Sequence, residues 1–570
     1  MVGAADWATP DKASPARIDP SSVPTTHAIS RRGTHMSALP SAVYRAAPSR
    51  GTLVRRKARQ EAPRSSVRSD AGGFDAMMTG LRRLRAMKDD QSTNANKLDD
   101  VFFEDEAPSW DELGAVADAL KTSHGVPLTV DLENGPANPK ALVRRFGTVD
   151  EPRVLFFRDH AAWCPYCEKI WMQLEEKRIP YRVEKINMRC YGDKKRSFTA
   201  KVPSGMLPVM EIDGRLLTES ASIAAALENE FPEHKPLLAP PGSALRKRQD
   251  DLNRLERALF GRWMQWLTSS WMDGANRSGF EEALDAVEAE LAFDPTGPYF
   301  CGEDLTLIDI TFTPFLERMA ASLAYYKGFR VEGNGGRWPR IDAWYEAMAK
   351  RTDTYAHIKS DYYTHAHDLP PQLGGCEPNG DATQVAYMNE IDGVGSVGDS
   401  GDDNSWKLPL KPLKDASNVE PWWGPGDENA TLDRVEAAAA VIGNRDAVVR
   451  FAARGCGKSG TRPVAAPLSD PTATPDDAHV PAVDAALRRV CAELLTADGA
   501  QPGVTVSSGR VSSSSEGKPG SSSAKGFAGK ETAASLAYLR DRVGVPRDMK
   551  YPAARQLRAH LNWFIDGLAG

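Results

Sequence analysis

The sequence is poor in cysteine. Seven are spread over 570 residues, too few for a disulfide framework and typical of a reducing compartment where thiols do chemistry. There is no run of about 18 apolar residues, so no segment reads as a membrane span. A basic excess is also missing. The net charge of −6 argues against a protein that wraps nucleic acid. No apolar core follows the first methionine, which argues against a secretory signal. What remains is ordinary: 41% hydrophobic and 26% charged residues, the balance of a globular protein.

Residues 15–68 are rich in Arg, Ser and Ala and nearly free of acids. That bias resembles an organellar transit peptide, chloroplast first and mitochondrion second. The competing reading is a basic tail with no address, which would leave the protein in the cytoplasm. Met36 opens a better transit start than Met1. Residues 1–75 read as disordered, and 76–150 as a lead-in, containing Trp110 and Leu113, that packs on the core.

From residue 151 the pattern sharpens. The run 153–158 is short, apolar and aromatic, and predicts a buried strand. Residues 165–177 carry Ile170, Trp171 and Leu174 at helical spacing, with Pro165 where a first turn tolerates it. A second strand spans 181–188, then 207–212 and 215–218 form a hairpin around Asp213-Gly214, and 220–230 is a helix. This order defines an α/β thioredoxin-like subdomain over 151–231. An all-α subdomain follows over 244–368, with helices at 245–270, 279–292, 306–326 and 337–350. Thr306 and Asp309 have the spacing of a capping box. Beyond it, 369–528 reads as a loop-rich and helical extension. Within it 374–403 is loop, 429–453 and 481–495 are helices, and 501–526 is a Ser/Gly linker. Residues 529–570 read as a helical end broken by Pro546 and Pro552. Its Leu536, Tyr538, Leu539, Leu557, Leu561, Trp563 and Phe564 are expected to bury against the core. The predicted fold is thus an α/β subdomain followed by an all-α one, with long, partly disordered extensions.

The chemistry centres on Trp163-Cys164-Pro165-Tyr166-Cys167. Cys164 leaves a strand and opens a helix, where free N–H groups and the helix dipole stabilise an anion. That is the setting of a reactive thiol. Lys169 adds positive charge one turn on. Cys167 lies one turn inward and reads either as a resolving thiol or as a small buried residue. A zinc site would need further ligands. No second close Cys or Cys/His pair lies at a matching spacing, and His160 sits on the strand side of the turn, so no metal is expected here. Two other segments point at the same place. Leu207-Pro208 precedes a strand; if cis, it would turn the Leu207 backbone toward Cys164 to pair with an extended peptide. Pro203 is the other proline of that loop, but Pro208 abuts the strand. Glu219 can accept from an ammonium group, and Ser220 can cap the next helix, whose N–H groups suit a carboxylate. A ligand with a thiol at Cys164 and an amino-acid end at Glu219-Ser220 describes glutathione.

Together these residues resemble the soluble glutathione transferase superfamily over about 153–368. Within it the chain is similar to the cysteine-type classes: omega, lambda, dehydroascorbate reductase and glutathionyl-hydroquinone reductase. It looks most like the iota-type enzymes of photosynthetic organisms, which share the dithiol motif and long extensions. The resemblance implies glutathione as cofactor and Cys164 as the residue that forms the mixed disulfide. It implies that Leu207 and Pro208 hold the cysteinyl backbone and that Glu219 and Ser220 hold the γ-glutamyl end. Lys169, Arg189 and Lys201 are charge partners with less support. Partners would be glutathione and a glutathionylated or oxidised small molecule or protein, and the family assembly would be a homodimer. A second substrate would sit between the subdomains. Trp163, Tyr166, Trp263, Trp266, Tyr325 and Tyr326 are candidates to line its site, although Trp263 and Trp266 suit the core better. Cys190, Cys301, Cys376, Cys456 and Cys491 read as inert. Two other functions stay open: a non-catalytic scaffold working through its C-terminal extension, and iron–sulfur binding of the glutaredoxin kind.

Overall fold

A computed structural model describes residues 102–103, 105–188, 191–393, 405–424, 430–460, 466–496 and 527–569. The expected transit segment, Arg189, Cys190 and the Ser/Gly linker lie outside the described residues. Phe102–Phe103 (β1) pairs antiparallel with Phe527–Ala528. Trp110–Ser123 (α1) follows, and Ser109 and Glu112 close a capping box at its start. Its buried face, Leu113 and Ala117, does not pack on the thioredoxin-like core as expected. It joins a separate apolar cluster built from the C-terminal extension.

The sheet contains Val143–Arg144 (β2), Val154–Asp159 (β3), Tyr181–Ile186 (β4), Val209–Ile212 (β5) and Arg215–Thr218 (β6), in the order β2-β4-β3-β5-β6. β3 and β4 are parallel, joined through Pro165–Lys177 (α2); the other pairings are antiparallel. The period-2 alternation of β3 decides what packs where. Phe156 joins Ile170, Trp171 and Leu174 of α2 in the main core. Phe157 points the other way, into a small cluster with Val209 and with Phe198 of Arg196–Lys201 (α3). Ser220–Glu230 (α4) completes this subdomain.

Ala244–Leu267 (α5), Asp273–Leu291 (α6), Leu307–Lys327 (α7) and Pro339–Ala349 (α8) form the helical half. α7 is its axis. The Thr306/Asp309 box starts it, and every residue from Phe312 to Lys327 is buried. α6 begins six residues before its expected start. Gly274 and Asn276 weaken local propensity there, but Asp273 accepts a 2.7 Å bond from the Trp266 indole, which anchors the turn. The short Tyr355–Ile358 (α9) and Tyr362–Leu373 (α10) come next. Ala382–Ile391 (α11) then stands where a loop was expected. Asp381 caps α11, and Gln384 donates to the Tyr325 carbonyl at 2.7 Å, so packing on α7 overrides a glycine- and acid-rich sequence.

The single helix expected over 429–453 is two, Ala430–Ile442 (α12) and Arg445–Ala452 (α13), parted at Gly443-Asn444. Val480–Thr496 (α14), the strand Phe527–Ala528 (β7), Gly529–Arg540 (α15) and Tyr551–Ala569 (α16) follow. Pro546 separates α15 from α16, whereas Pro552 sits in the first turn of α16, where its missing N–H is harmless. The apolar residues of α15 and α16 were expected to bury against the core of the two subdomains. Instead Leu536, Leu539, Leu557, Leu561 and Phe564 share a cluster with Val441, Leu487 and Val490, and Tyr538 and Trp563 pack on its edge. The extension therefore has a core of its own.

Candidate active site

Three chain segments meet at one end of the sheet. β3 runs out at Asp159 and turns through Ala162 (φ 64°) into Cys164, the residue that starts α2. β5 begins opposite that end, since Phe157 pairs with Val209, and β6 finishes there, since Val209 pairs with Thr218. The Leu207–Pro208 bond that enters β5 is cis. Glu219 leaves β6 with φ 67° and ψ 118°. For a residue with a Cβ such a conformation costs about 1–3 kcal/mol, and residues of this kind cluster at ligand clamps. Ser220 does not cap α4. Glu219 occupies the cap position and makes no side-chain cap bond, so the first-turn N–H groups of α4 lack that partner.

Cys164 and Cys167 are both buried and unbridged, with 8% and 2% of their surface exposed. Their thiols and a carboxylate oxygen of Asp159 lie within 4.8 Å of one another. Burial pushes the Cys167 thiol well above its usual range, and its hydrogen bond to Cys164 adds to the effect. Asp159 Oδ2 accepts from the Trp163 amide at 2.7 Å, while its Oδ1 has no hydrogen-bond partner. His160, beside it, is held near 4 by burial and is neutral at physiological pH.

Trp163, immediately before Cys164, is fully buried and held from several directions. Its carbonyl accepts from Arg318 of α7 at 2.7 Å. The same guanidinium pairs with buried Glu168 of α2 at 2.8 Å. Burial raises the Glu168 carboxyl against the pull of Arg318. The Trp163 indole donates to the Val545 carbonyl at 2.9 Å, and the Arg547 guanidinium lies 4.8 Å from its ring centre. Val545 and Arg547 belong to the loop between α15 and α16. The C-terminal extension thus supports the turn that carries Cys164.

A cleft of about 630 Å3 opens between α2, α4 and α5, lined among others by Tyr166, Lys169, Ser220, Asn253, Arg257 and Phe315. Lys169 lies 3.2 Å from Glu256 and 4.2 Å from the Phe315 ring centre. Burial lowers its pKa, opposed by Glu256. Arg257 has no ion-pair or hydrogen-bond partner among the described residues. Cys164, Leu207, Pro208 and Glu219 lie outside the cleft lining. Lys201 is misplaced by the sequence reading. It sits on α3, over Phe157 on the far face of the sheet, paired with Glu211 at 2.5 Å. Of the six aromatics considered for a second substrate, only Tyr166 is exposed and lines the cleft. Trp263 and Trp266 are core, bonded to Ser322 and Asp273, while Tyr325 and Tyr326 are buried and bonded to Asp392 and the Ala366 carbonyl. Asp159, Arg318 and Arg257 were missed. Asp159 left a trace, as the acid that closes an apolar strand. Arg318 left none, because its partners are 150 and 155 residues away.

Comparison with known proteins bears on the same region. The family described as "Glutathione S-transferase, N-terminal domain" matches residues 163–230, and "Glutathione S-transferase, C-terminal domain" matches residues 244–347. Glutathione S-transferase DHAR2 of Arabidopsis thaliana is 29% identical over 168 residues, 30% of this chain and 72% of that protein. Pyrimidodiazepine synthase of Drosophila melanogaster is 31% identical over 194 residues, 33% of this chain and 74% of that protein. Among solved structures, glutathione transferase Omega 3C of Trametes versicolor aligns at 22% identity and TM-score 0.31, over 36% of this chain and 83% of its own. Both halves of the family pattern fall in order on the two subdomains that meet at Cys164, and the chain belongs to the soluble glutathione transferase superfamily.

Proposed function

We propose that the protein is a glutathione-dependent thiol transferase and reductase with Cys164 as nucleophile. The observation that carries this reading is the convergence of Cys164, the cis Leu207–Pro208 bond and the strained Glu219 at one end of the sheet. The Cys164 thiolate attacks the glutathionyl sulfur of a mixed disulfide. The Cys164–glutathione disulfide forms and the substrate leaves as a thiolate. A second glutathione then releases oxidised glutathione and restores Cys164; alternatively, Cys167 displaces glutathione and closes a Cys164–Cys167 disulfide. Burial keeps Cys167 protonated, so the second route needs a base. The Asp159 carboxylate, one oxygen of which lies within 4.8 Å of both thiols, is the group placed to take that proton. The Leu207 backbone offers pairing to the cysteinyl residue of glutathione. Glu219 and the α4 N–H groups suit its γ-glutamyl end, and Arg257 and Lys169 supply cationic charge along the cleft. Deglutathionylation, thiol–disulfide exchange and reduction of dehydroascorbate- or quinone-type acceptors all use this chemistry. The acid-poor, Arg- and Ser-rich segment 15–68 supports delivery to a chloroplast.

The test is steady-state turnover of a glutathione mixed disulfide. Cys164→Ser should lose activity by at least about 10³-fold, the scale of removing a nucleophile. Cys167→Ser should keep a substantial fraction through the glutathione route. Equal activity in wild type and Cys164→Ser would end the proposal.

A further inference from the structure

Outside the family-matched residues, the extension brings together a second group of thiol, carboxylate and imidazole side chains. Cys456 ends the short 3-10 turn Ala453–Gly455 after α13, while Asp476 and His479 occupy the turn that starts α14. A ligand atom from each lies within 4.8 Å of the other two. Asp476 Oδ2 meets His479 Nδ1 at 3.0 Å. Cys456 Sγ lies 3.3 Å from Ser535 Oγ of α15 and 3.4 Å from the Ala453 carbonyl. All three residues are half-buried and reachable from solvent.

Backbone geometry holds the two loops together. Lys458 and Thr474 exchange a pair of 3.0 Å bonds, and the Asp476 amide donates to the Ala453 carbonyl at 3.1 Å. Gly457 makes this approach feasible, since a Cβ there would lie 2.1 Å from the Thr474 carbonyl oxygen. The Asp476–His479 contact could be explained as a helix-start turn alone. The placement of a thiol against that pair from 20 residues upstream could not.

We infer that Cys456, Asp476 and His479 form a three-ligand site for a borderline-soft divalent cation, Zn2+ above all. Thiolate, imidazole and carboxylate are the donors zinc takes, and three protein ligands leave its fourth tetrahedral position open. Ligand bonds of about 2.0–2.3 Å need donor atoms somewhat over 3 Å apart, so small side-chain rotations suffice. Binding expels the Cys456 thiol proton to solvent, so affinity falls as pH falls. The ion would fasten α13, α14 and α15 at one point.

The full chain carrying Cys164→Ser and Cys167→Ser, which removes the other thiol cluster, is stripped with chelator and titrated with Zn2+ and with Co2+. One equivalent should bind, and Co2+ should produce a thiolate-to-metal charge-transfer band. Adding Cys456→Ser should abolish the band and weaken Zn2+ binding at least about 100-fold, the upper end of what changes to the groups behind metal ligands do. Asp476→Asn and His479→Gln should each weaken binding. Cys456→His should restore Zn2+ binding without the band, which guards against misreading an unfolded variant. The inference is overturned if neither ion binds saturably, or if Cys456→Ser leaves the titration unchanged. It is equally overturned if Cys456 is rapidly alkylated at neutral pH while taking no metal, which would make the trio a nucleophile with its base.

Discussion

Arg318 joins the two subdomains through a single guanidinium. One nitrogen meets the Glu168 carboxylate and the Pro314 carbonyl, and another meets the carbonyl of Trp163 beside Cys164. Removing it leaves the buried Glu168 carboxyl and the Trp163 carbonyl without their donor, which costs about 1–3 kcal/mol. Arg318→Met should lower the unfolding free energy in urea by that amount. Arg318→Lys keeps the charge but lacks the planar fork. It should lose less stability, yet release the Trp163 carbonyl and lower turnover. An Arg318→Met protein as stable as wild type would show that the pair contributes nothing net. At this scale the sequence was uneven. Cys164 was legible because strand, proline and helix pattern sit within a dozen residues of it. Arg318 was not, because one arginine in an apolar helix carries no mark of a partner 150 residues upstream. Lys201 misled, because closeness in sequence to Pro208 says nothing about which face of the sheet a side chain takes.

The loop between α15 and α16 shows how one element supports another's chemistry. Val545 accepts from the Trp163 indole and also from the Ser360 hydroxyl, and its amide donates to Thr364 Oγ1 at 3.1 Å. Arg558 of α16 braces the loop through the Val543 carbonyl at 2.8 Å and through buried Asp361 at 2.6 Å. At Gly544 a Cβ would lie 2.4 Å from Trp163 Cζ2, and the indole, fully buried, has no room to retreat. Gly544→Ala should therefore displace Trp163 and lower turnover, with a change in tryptophan fluorescence, although the residue lies 380 positions from Cys164. Unchanged kinetics in that variant would mean the loop is a bystander. Element types were legible where the apolar period was long, as in α5, α7 and α14. α11 was not, because its stability comes from an Asp381 cap and a Gln384 bond to α7, which leave little hydrophobic period. The partner of α15 and α16 was misjudged for a related reason. An amphipathic pattern announces a face to bury but not the surface that will bury it.

At the scale of the molecule, the two largest apolar clusters among the described residues lie one under the thioredoxin-like and helical subdomains and the other mainly within the extension. Buried titratable groups in both tie folding to pH, with opposite signs. His560 of α16 is held near 4 by burial. Its unfolded form binds a proton below about 6.5, so its contribution is complete above that value and is lost as pH falls toward 4. The full loss is about 3 kcal/mol. Asp368 is the reverse. Burial raises its carboxyl to about 7, so the native state keeps a proton that the unfolded chain gives up, and stability declines as pH rises from about 4 to 7. Relative to wild type, His560→Gln should flatten the acid limb of the thermal-melting profile, and Asp368→Asn should flatten the fall toward neutrality. Parallel profiles for all three proteins would refute both assignments.

The proposed chemistry begins with a covalent event at one sulfur, and trapping that event tests it most directly. Full-length Cys167→Ser protein is mixed with a glutathione disulfide, quenched with acid and digested for peptide mass spectrometry. One glutathionyl group on the peptide carrying Cys164, formed at a rate that accounts for turnover, is the predicted result. A Cys164 peptide that stays unmodified while substrate is consumed would contradict it.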